Sequence, residues 1–331
     1  VISAYPGVSV VMPILNEERH LAAAVGQILE QDYPGDLQVI MAVGPSTDRT
    51  HQIADGLAAA DDRLQVVDNP TGRTPAGLNL GIAAAKYDIV ARVDGHGELT
   101  DGYLKRAVEL LDETGAANVG GVMDAKGRTP FEEAVAYAYT SRLGLGGSKF
   151  HLEESPAGPA DTVFLGVFRK QALLDVGCFD ETLHRAQDWE LNYRLRQRGE
   201  LIWFSPELKV TYRPRSTVRA LAAQFYNTGK WRREVVRRHA DTANARYLAA
   251  PVAVIGIGAG SAAGLAGLIT NKLILKSGWL APLGYLLVII AGTATAKGLS
   301  PEARTRLPLV LIIMHLAWGL GFLVGLDRDA G

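Results

Sequence analysis

IVARVDGHGEL, residues 89–99, is the stretch on which the reading of this 331-residue chain turns. An apolar run suited to a buried strand stops at Asp94-Gly95-His96. In an extended chain residues i and i+2 point to the same side. Asp94 and His96 therefore project together, and the glycine between them leaves room for a ligand. A turn after a strand uses the same residue types, so the neighbouring segments have to decide. Residues 8–15, 37–43, 64–67 and 87–93 are β-branched or apolar runs. The Ala/Leu-rich stretches 17–30, 48–60 and 75–85 lie between them and favour helix. Regular β-α alternation predicts an α/β domain with a mainly parallel sheet and helices on its faces. In such sheets ligands bind at the carboxyl ends of the strands. Three ends carry polar or turn-forming residues: Asn16-Glu17, Gly44-Pro45-Ser46-Thr47-Asp48 and Asp94-Gly95-His96.

Charge is balanced, with 34 Lys and Arg against 35 Asp and Glu, which argues against a nucleic-acid partner. It is unevenly spread. Residues 213–246 hold nine Arg or Lys and two acids, Glu234 and Asp241. Cys178 is alone, which excludes an intramolecular disulfide and a cysteine-based metal site. The stretch 8–15 lacks the length and basic start of a secretory signal. Residues 248–270, 277–296 and 307–326 are free of Asp, Glu, Lys and Arg, and each is long enough for the roughly 20 helical residues that cross a bilayer. The expected organisation is a catalytic domain over 1–212, a basic amphipathic region over 213–246, and a membrane region over 247–331. Lys297, Arg304 and Arg306 would share the cytoplasmic side with the basic region. The link 271–276 and the tail 327–331 would then lie outside, with the catalytic domain on the cytoplasmic face of the plasma (inner) membrane. No G-x-G-x-x-G follows the first strand. LGLGGSK, residues 143–149, lacks the Gly-Lys-Ser/Thr ending of a phosphate loop.

Six segments resemble the inverting family 2 glycosyltransferases of GT-A fold, near the membrane-bound enzymes of succinoglycan-type exopolysaccharide synthesis. They are VSVVMPILNEE (8–18), Ser46-Thr47-Asp48, ARVDGH (91–96), DTVFLGVFRKQALLDVGCFDE (161–181), QDWELNYRLRQRG (187–199) and QFYNTGKWRREVVRRH (224–239). The resemblance implies transfer of a hexose from a nucleotide-sugar, UDP-linked in many relatives, to a hydroxyl of a lipid-linked or growing glycan. It places donor binding at Pro13, Asn16, Glu17, Asp48, Arg73, Asn79 and Asp94. Asp94 and His96 stand where the family has its Asp-x-Asp metal motif, and imidazole favours Mn²⁺ over Mg²⁺. Asp188 stands at the catalytic base, although an aspartate before a helix is also a natural N-cap. Gly166, Gln187, Lys230 and Trp231 fall in the acceptor or diphosphate region, with Asn227-x-x-Lys230-Trp231 a degenerate Gln-x-x-Arg-Trp motif.

The chain departs from the family where relatives read uracil. Val43-Gly44-Pro45-Ser46 replaces Asp-Asp-x-Ser, leaving base recognition to backbone groups, Glu17 or Asp48. Two other functions share these motifs: sugar transfer to polyprenyl phosphate, and an inactive nucleotide-sugar-binding scaffold of an export complex. In the basic region, Leu221, Phe225, Trp231 and Val235 or Val236 are spaced for one apolar helical face. Such a helix rests on membrane lipid headgroups.

Overall fold

The computed structural model describes residues 4–145, 149–152 and 154–326. Gly146, Gly147 and Ser148 of the glycine-rich stretch, and the tail 327–331, lie outside them. The chain forms two compact units, Val1–Asp124 with Ser148–Tyr212, and Ala125–Gly147 with Arg213–Gly331. The segment 125–147 thus groups with the C-terminal helices.

In the first unit the predicted alternation is present as β1 (Val8–Ile14), α1 (Leu21–Leu29), β2 (Leu37–Val43), α2 (Thr50–Ala60), β3 (Leu64–Asp68), α3 (Thr74–Ala84) and β4 (Ile89–Arg92). These strands are parallel in the order β3-β2-β1-β4. Ile14 pairs with Val43 and Val43 with Asp68, so three carboxyl ends finish level along one edge. Alternation sends Val8, Val10, Met12 and Ile14 to one face of the sheet and Val11 to the other, and all five are buried. Gly81 of α3 lets the helix approach, since a Cβ there would stand 2.2 Å from Val11 Cγ1.

Beyond β4 the chain continues through β5 (Glu98–Leu99), α4 (Tyr103–Thr114) and β6 (Asn118–Ala125) to α5 (Pro130–Thr140) of the second unit. It returns through β7 (Gly158–Pro159), β8 (Phe164–Arg169), α6 (Lys170–Asp175), α7 (Gln187–Gln197) and β9 (Ile202–Tyr212). β8 is antiparallel to both β4 and β6, so the sheet is mixed: parallel on the side of the predicted strands and antiparallel beyond.

A buried polar chain fixes α7 to the sheet. Asn118 Nδ2 donates to Asn192 Oδ1 at 2.7 Å, and Asn192 Nδ2 donates to Thr162 Oγ1 at 2.9 Å.

The second unit continues with α8 (Val218–Arg238), α9 (Ala245–Thr270), α10 (Leu273–Lys276), α11 (Leu280–Ala294) and α12 (Pro301–Val324). Three helical stretches are long and apolar enough to cross a membrane: Ala245–Thr270, Leu273–Ala294 and Pro301–Val324. The buried face of α8 is Leu221, Phe225, Gly229, Arg232 and Val235. Trp231, expected on that face, is only half-buried, and Arg232 takes the inward place. Gly229 allows the backbone of Trp318 to approach, and the Arg232 guanidinium stacks 3.8 Å from the centre of the Tyr247 ring. Burial pushes Arg232 down to about 10, even with that ring to favour its charge.

Asn192→Ala removes one acceptor and one donor from a site that water does not reach. It should lower the stability of the first unit by about 1–3 kcal/mol, read as a drop in the thermal unfolding midpoint of the detergent-solubilised protein.

Candidate active site

β4 ends on an arginine. Arg92 and Asp94 lie two residues apart and turn to the same side, as expected for extended chain. The Arg92 side chain is only 7% exposed. Its Nε and Nη2 donate to Asp94 Oδ1 at 3.2 and 3.0 Å, and its Nη1 donates to Asp188 Oδ1. Burial alone would favour neutral Arg92. The Asp188 and Asp94 carboxylates outweigh it and hold the guanidinium above its ordinary range.

Asp188 is the second residue of α7, not its N-cap. The cap position is Ala186, in left-handed conformation with φ 62° and no side-chain cap. Asp188 thus meets Arg92 instead of satisfying the helix end, and the capping alternative falls. Further along α7, Arg194 holds both Glu190 oxygens at 2.8 Å and donates to the carbonyls of Val176 and Cys178.

Backbone-to-side-chain bonds stitch the ends of β1 and β2 together. Asn16 adopts φ 56°, donates its N–H to Ser46 Oγ at 3.0 Å, and accepts from the Thr47 N–H at 2.8 Å. Glu17 N donates to Thr50 Oγ1 at 2.8 Å, and Glu18 N to Asp48 Oδ2 at 3.2 Å. Asp48 Oδ1 accepts from the Thr50 hydroxyl at 2.5 Å, and that bond holds its carboxyl below the usual range. Both Asp48 oxygens are thereby engaged in the loop. The end of β4 joins the same assembly, because His96 Nδ1 stands 2.7 Å from Glu17 Oε1. Two sets of contacts thus meet in the segment after β4: Asp188 and Asp94 on Arg92, and His96 on Glu17.

The other expected residues divide. Asn79 does not open toward the cleft: its amide donates to Phe179 O and Glu181 Oε1, both at 2.9 Å, and accepts from Phe179 N, bracing α3 against the approach to α7. Arg73 is exposed at the start of α3, and with burial as the larger cause it helps lower the pKa of His184. Pro13 sits within β1 opposite Ala42. Gln187 is buried at the start of α7. Gly166 is packed, since a Cβ there would stand 2.3 Å from Asn118 Oδ1. Lys230 and Trp231 belong to α8 of the second unit, where Lys230 Nζ lies 5.7 Å over the Tyr226 ring. Arg92 and the Glu190–Arg194 pair carried no role in the sequence reading. Their signals were a cation closing an apolar run and an acid–base pair four residues apart on a helix.

At the missing uracil carboxylates, Gly44 is pressed on the next loop. A Cβ at Gly44 would come within 2.8 Å of Gly72 Cα, so the loop has no space for an aspartate. Leu15, 43% exposed, borders the same place.

Among the described residues no three His, Cys, Asp or Glu side chains converge as a complete metal site. Asp94 and His96 fit a cation that takes its remaining ligands from a substrate. Asp94 uses Oδ1 for Arg92 and leaves Oδ2 without a hydrogen bond among the described residues. The Glu17 carboxylate on His96 Nδ1 is the support a metal-bound imidazole commonly has on its other nitrogen.

A mixed α/β sheet with carboxylates gathered at the carboxyl ends of its parallel strands defines the class of α/β domain that takes its ligand at that edge. Residues 9–177 match the family described as Glycosyl transferase family 2, and the chain belongs to that family. It is 33% identical to the succinoglycan biosynthesis protein ExoA of Rhizobium meliloti (strain 1021), over 95% of this chain and 93% of that protein. A dolichyl N-acetyl-alpha-D-glucosaminyl phosphate 3-beta-D-2,3-diacetamido-2,3-dideoxy-beta-D-glucuronosyltransferase of Methanococcus voltae is 23% identical, over 70% of this chain and 74% of its own. The mannosyltransferase PcManGT of Pyrobaculum calidifontis, solved with GDP-Man and Mn²⁺, shares the fold with a TM-score of 0.60 at 19% identity, covering 99% of this chain and 89% of that one.

Arg92→Met leaves two carboxylates facing one another. It should cost about 2–3 kcal/mol, below the 3–5 typical of a fully buried pair because solvent reaches both acids. Thermal unfolding of the variant beside Arg92→Lys measures this, with the lysine expected in between.

Proposed function

We propose that this family 2 enzyme is a membrane-bound inverting hexosyltransferase. It would move a sugar from a nucleoside diphosphate to a hydroxyl of a lipid-linked or growing glycan in cell-surface polysaccharide synthesis. The observation that carries the reading is Asp94 and Asp188, remote in sequence, held on one buried guanidinium. Such an arrangement supplies a group for the donor's diphosphate and a base for the acceptor in a single cleft.

Asp188 takes the proton of the acceptor hydroxyl as its oxygen attacks the anomeric carbon from the face opposite the leaving group. The bond from that carbon to the diphosphate oxygen breaks, and the nucleoside diphosphate departs. Base assistance of this kind is typically worth on the order of 10²–10⁴ in rate. Asp94 and His96 would hold Mn²⁺, or Mg²⁺, which when bound neutralises charge on the departing diphosphate. Arg92 keeps the Asp188 carboxylate aimed. Trp189, stacked on Tyr193 with ring centroids 5.6 Å apart, places an aromatic pair beside the base, and such faces suit a sugar acceptor.

The Methanococcus relative, named for transfer to a dolichyl-phosphate-linked sugar, supports a lipid-linked acceptor. Likeness to ExoA supports a role in exopolysaccharide synthesis. PcManGT, solved with a nucleotide-sugar and Mn²⁺, supports divalent-metal use. The catalytic unit would face the cytoplasm.

Asp188→Asn should keep Mn²⁺-dependent donor binding yet lose about 10²–10⁴ of the transfer rate, since it removes proton acceptance and preserves shape. Near wild-type transfer by that variant would place the base elsewhere. Asp94→Ala should weaken donor binding and the Mn²⁺ response together in calorimetric titrations.

Gly44 leaves no carboxylate to select uracil, so the base has to be found by experiment. A thermal-shift panel of UDP-, GDP-, ADP- and dTDP-sugars with and without Mn²⁺ should show stabilisation that needs the metal, about 2.7 kcal/mol at a hundred times Kd. Equal shifts without Mn²⁺ would count against the metal.

A further inference from the structure

The third apolar helix is packed unlike the other two. In α12, 33% of the apolar window is buried, against 11% in α9 and 6% in Leu273–Ala294. α8 runs beside it in the same direction. Phe225 meets Trp318 with ring centroids 6.3 Å apart, Gly229 lies on the backbone of Trp318 and Phe322, and Arg233 donates to the carbonyls of Phe322 and Leu323. α5 flanks the other half. Glu133 accepts from the N–H and hydroxyl of Ser300 at 2.7 and 2.6 Å, and the Leu143 carbonyl accepts from His315 Nε2 at 2.7 Å. The large apolar residues that α12 still exposes are Leu309, Leu320, Leu323 and Val324, all on one stripe. α11 instead exposes Leu283, Leu286, Leu287, Val288 and Ile290, on several sides.

These contacts fix depth. α8 carries too many charges to cross a bilayer. Only residues 213–217 separate it from β9, a span of at most about 22 Å, short of a hydrocarbon core. Its Arg232 stacks on Tyr247 in the first turn of α9, so α9 enters from the side of the catalytic unit. Gly319 of α12 lies against Ala250 and Val254 of α9, and Gly325 against Arg233. The C-terminal end of α12 therefore stands where α9 enters.

The first turn of α12 is held on the same side. Only residues 126–129 separate β6 from α5, a reach of about 14 Å. That tether is too short to cross a hydrocarbon core, so Glu133, and Ser300 with it, stay in the compartment of the catalytic unit. Both ends of α12 face one compartment.

We infer that α12 does not cross the membrane. It lies in the near leaflet beside α5 and α8, with its Leu309–Leu320–Val324 stripe in the acyl region. The exposed guanidiniums of Arg233 and Arg237 stand at the level of anionic headgroups. The chain then crosses twice, through α9 and back through Leu273–Ala294, and Leu326 shares a compartment with the catalytic unit. A bilayer carrying anionic lipid is the partner this surface fits.

The inference rests on the reading of α9 and Leu273–Ala294 as membrane elements, and its test does not involve activity. Single cysteines are placed in the full chain with Cys178→Ser: Asp62→Cys in the catalytic unit, Lys272→Cys in the link, and Leu326→Cys after α12. A membrane-impermeant maleimide is applied to intact cells and to opened membranes. Asp62→Cys and Leu326→Cys should label under the same condition, and Lys272→Cys under the opposite one. Labelling of Leu326→Cys together with Lys272→Cys restores the third crossing and overturns the inference. So does labelling of all three on one side, which would mean no crossing. A failed Asp188→Asn or nucleotide experiment would leave this result unchanged.

Discussion

Arg92 is the constraint on which the site depends. A buried guanidinium is costly to desolvate, and only close, well-directed acids offset that cost. The cation sits on the last residue of a four-residue strand, so one acid is local, Asp94 two positions on. The other has to come from far along the chain. The beginning of α7 is brought to that point, and the Asn118–Asn192–Thr162 chain and the Arg194 bonds hold the helix there. One guanidinium against two carboxylates leaves the pair-up net negative. A diphosphate arriving in the same cleft adds more negative charge, which is why the proposed mechanism includes a divalent cation at Asp94 and His96.

Much of the parallel half was legible because periodicity registers burial, and burial there is simple. β2 occupies the predicted residues 37–43. The miss at α1 has a specific cause. Residues 17–30 read as one helix, but the helix begins at Leu21, because Asn16 turns to φ 56° and the N–H groups of Asn16, Glu17 and Glu18 bond to Ser46, Thr50 and Asp48. Those bonds come from a loop some 30 residues away, and no local pattern reports them. Arg92 is a sharper case. A cation at the end of an apolar run reads as a strand boundary until its partner at Asp188 is known. Asp188, read first as the catalytic base, has a cap as its alternative, and only the left-handed Ala186 shows that the helix starts before it.

The departure from the family at the base end has a steric account. Gly44 donates its N–H to Ile14 O at 2.8 Å, and its carbonyl accepts from Ser46 N at 2.6 Å. Both backbone groups are occupied within the loop, and Gly72 fills the space a side chain would need. The sequence reading assigned base recognition to backbone groups, Glu17 or Asp48. Asp48 is engaged by Thr50 and Glu18, Glu17 by His96, and Gly44 by its neighbours. Leu15, 43% exposed, is the apolar side chain that borders this edge.

Hydropathy treated the last three helices alike because it counts apolar residues and not what covers them. A helix that crosses lipid needs apolar residues all round, and so does one pressed between lipid and protein. In α12 the two causes divide by face: Leu307, Val310, Leu311 and Met314 are buried inside the unit, while Leu309, Leu320 and Val324 are exposed. The same ambiguity explains the exchange of Trp231 and Arg232 on α8. An amphipathic count places the indole inward, yet the surface that receives α8 is a neighbouring helix and a tyrosine ring. A flat guanidinium can lie on that ring, and a glycine admits the neighbouring backbone. Which residue faces inward is set by the shape of the partner surface, and that surface is assembled from Tyr247 of α9 and the Trp318–Phe322 turn of α12, remote from one another in sequence.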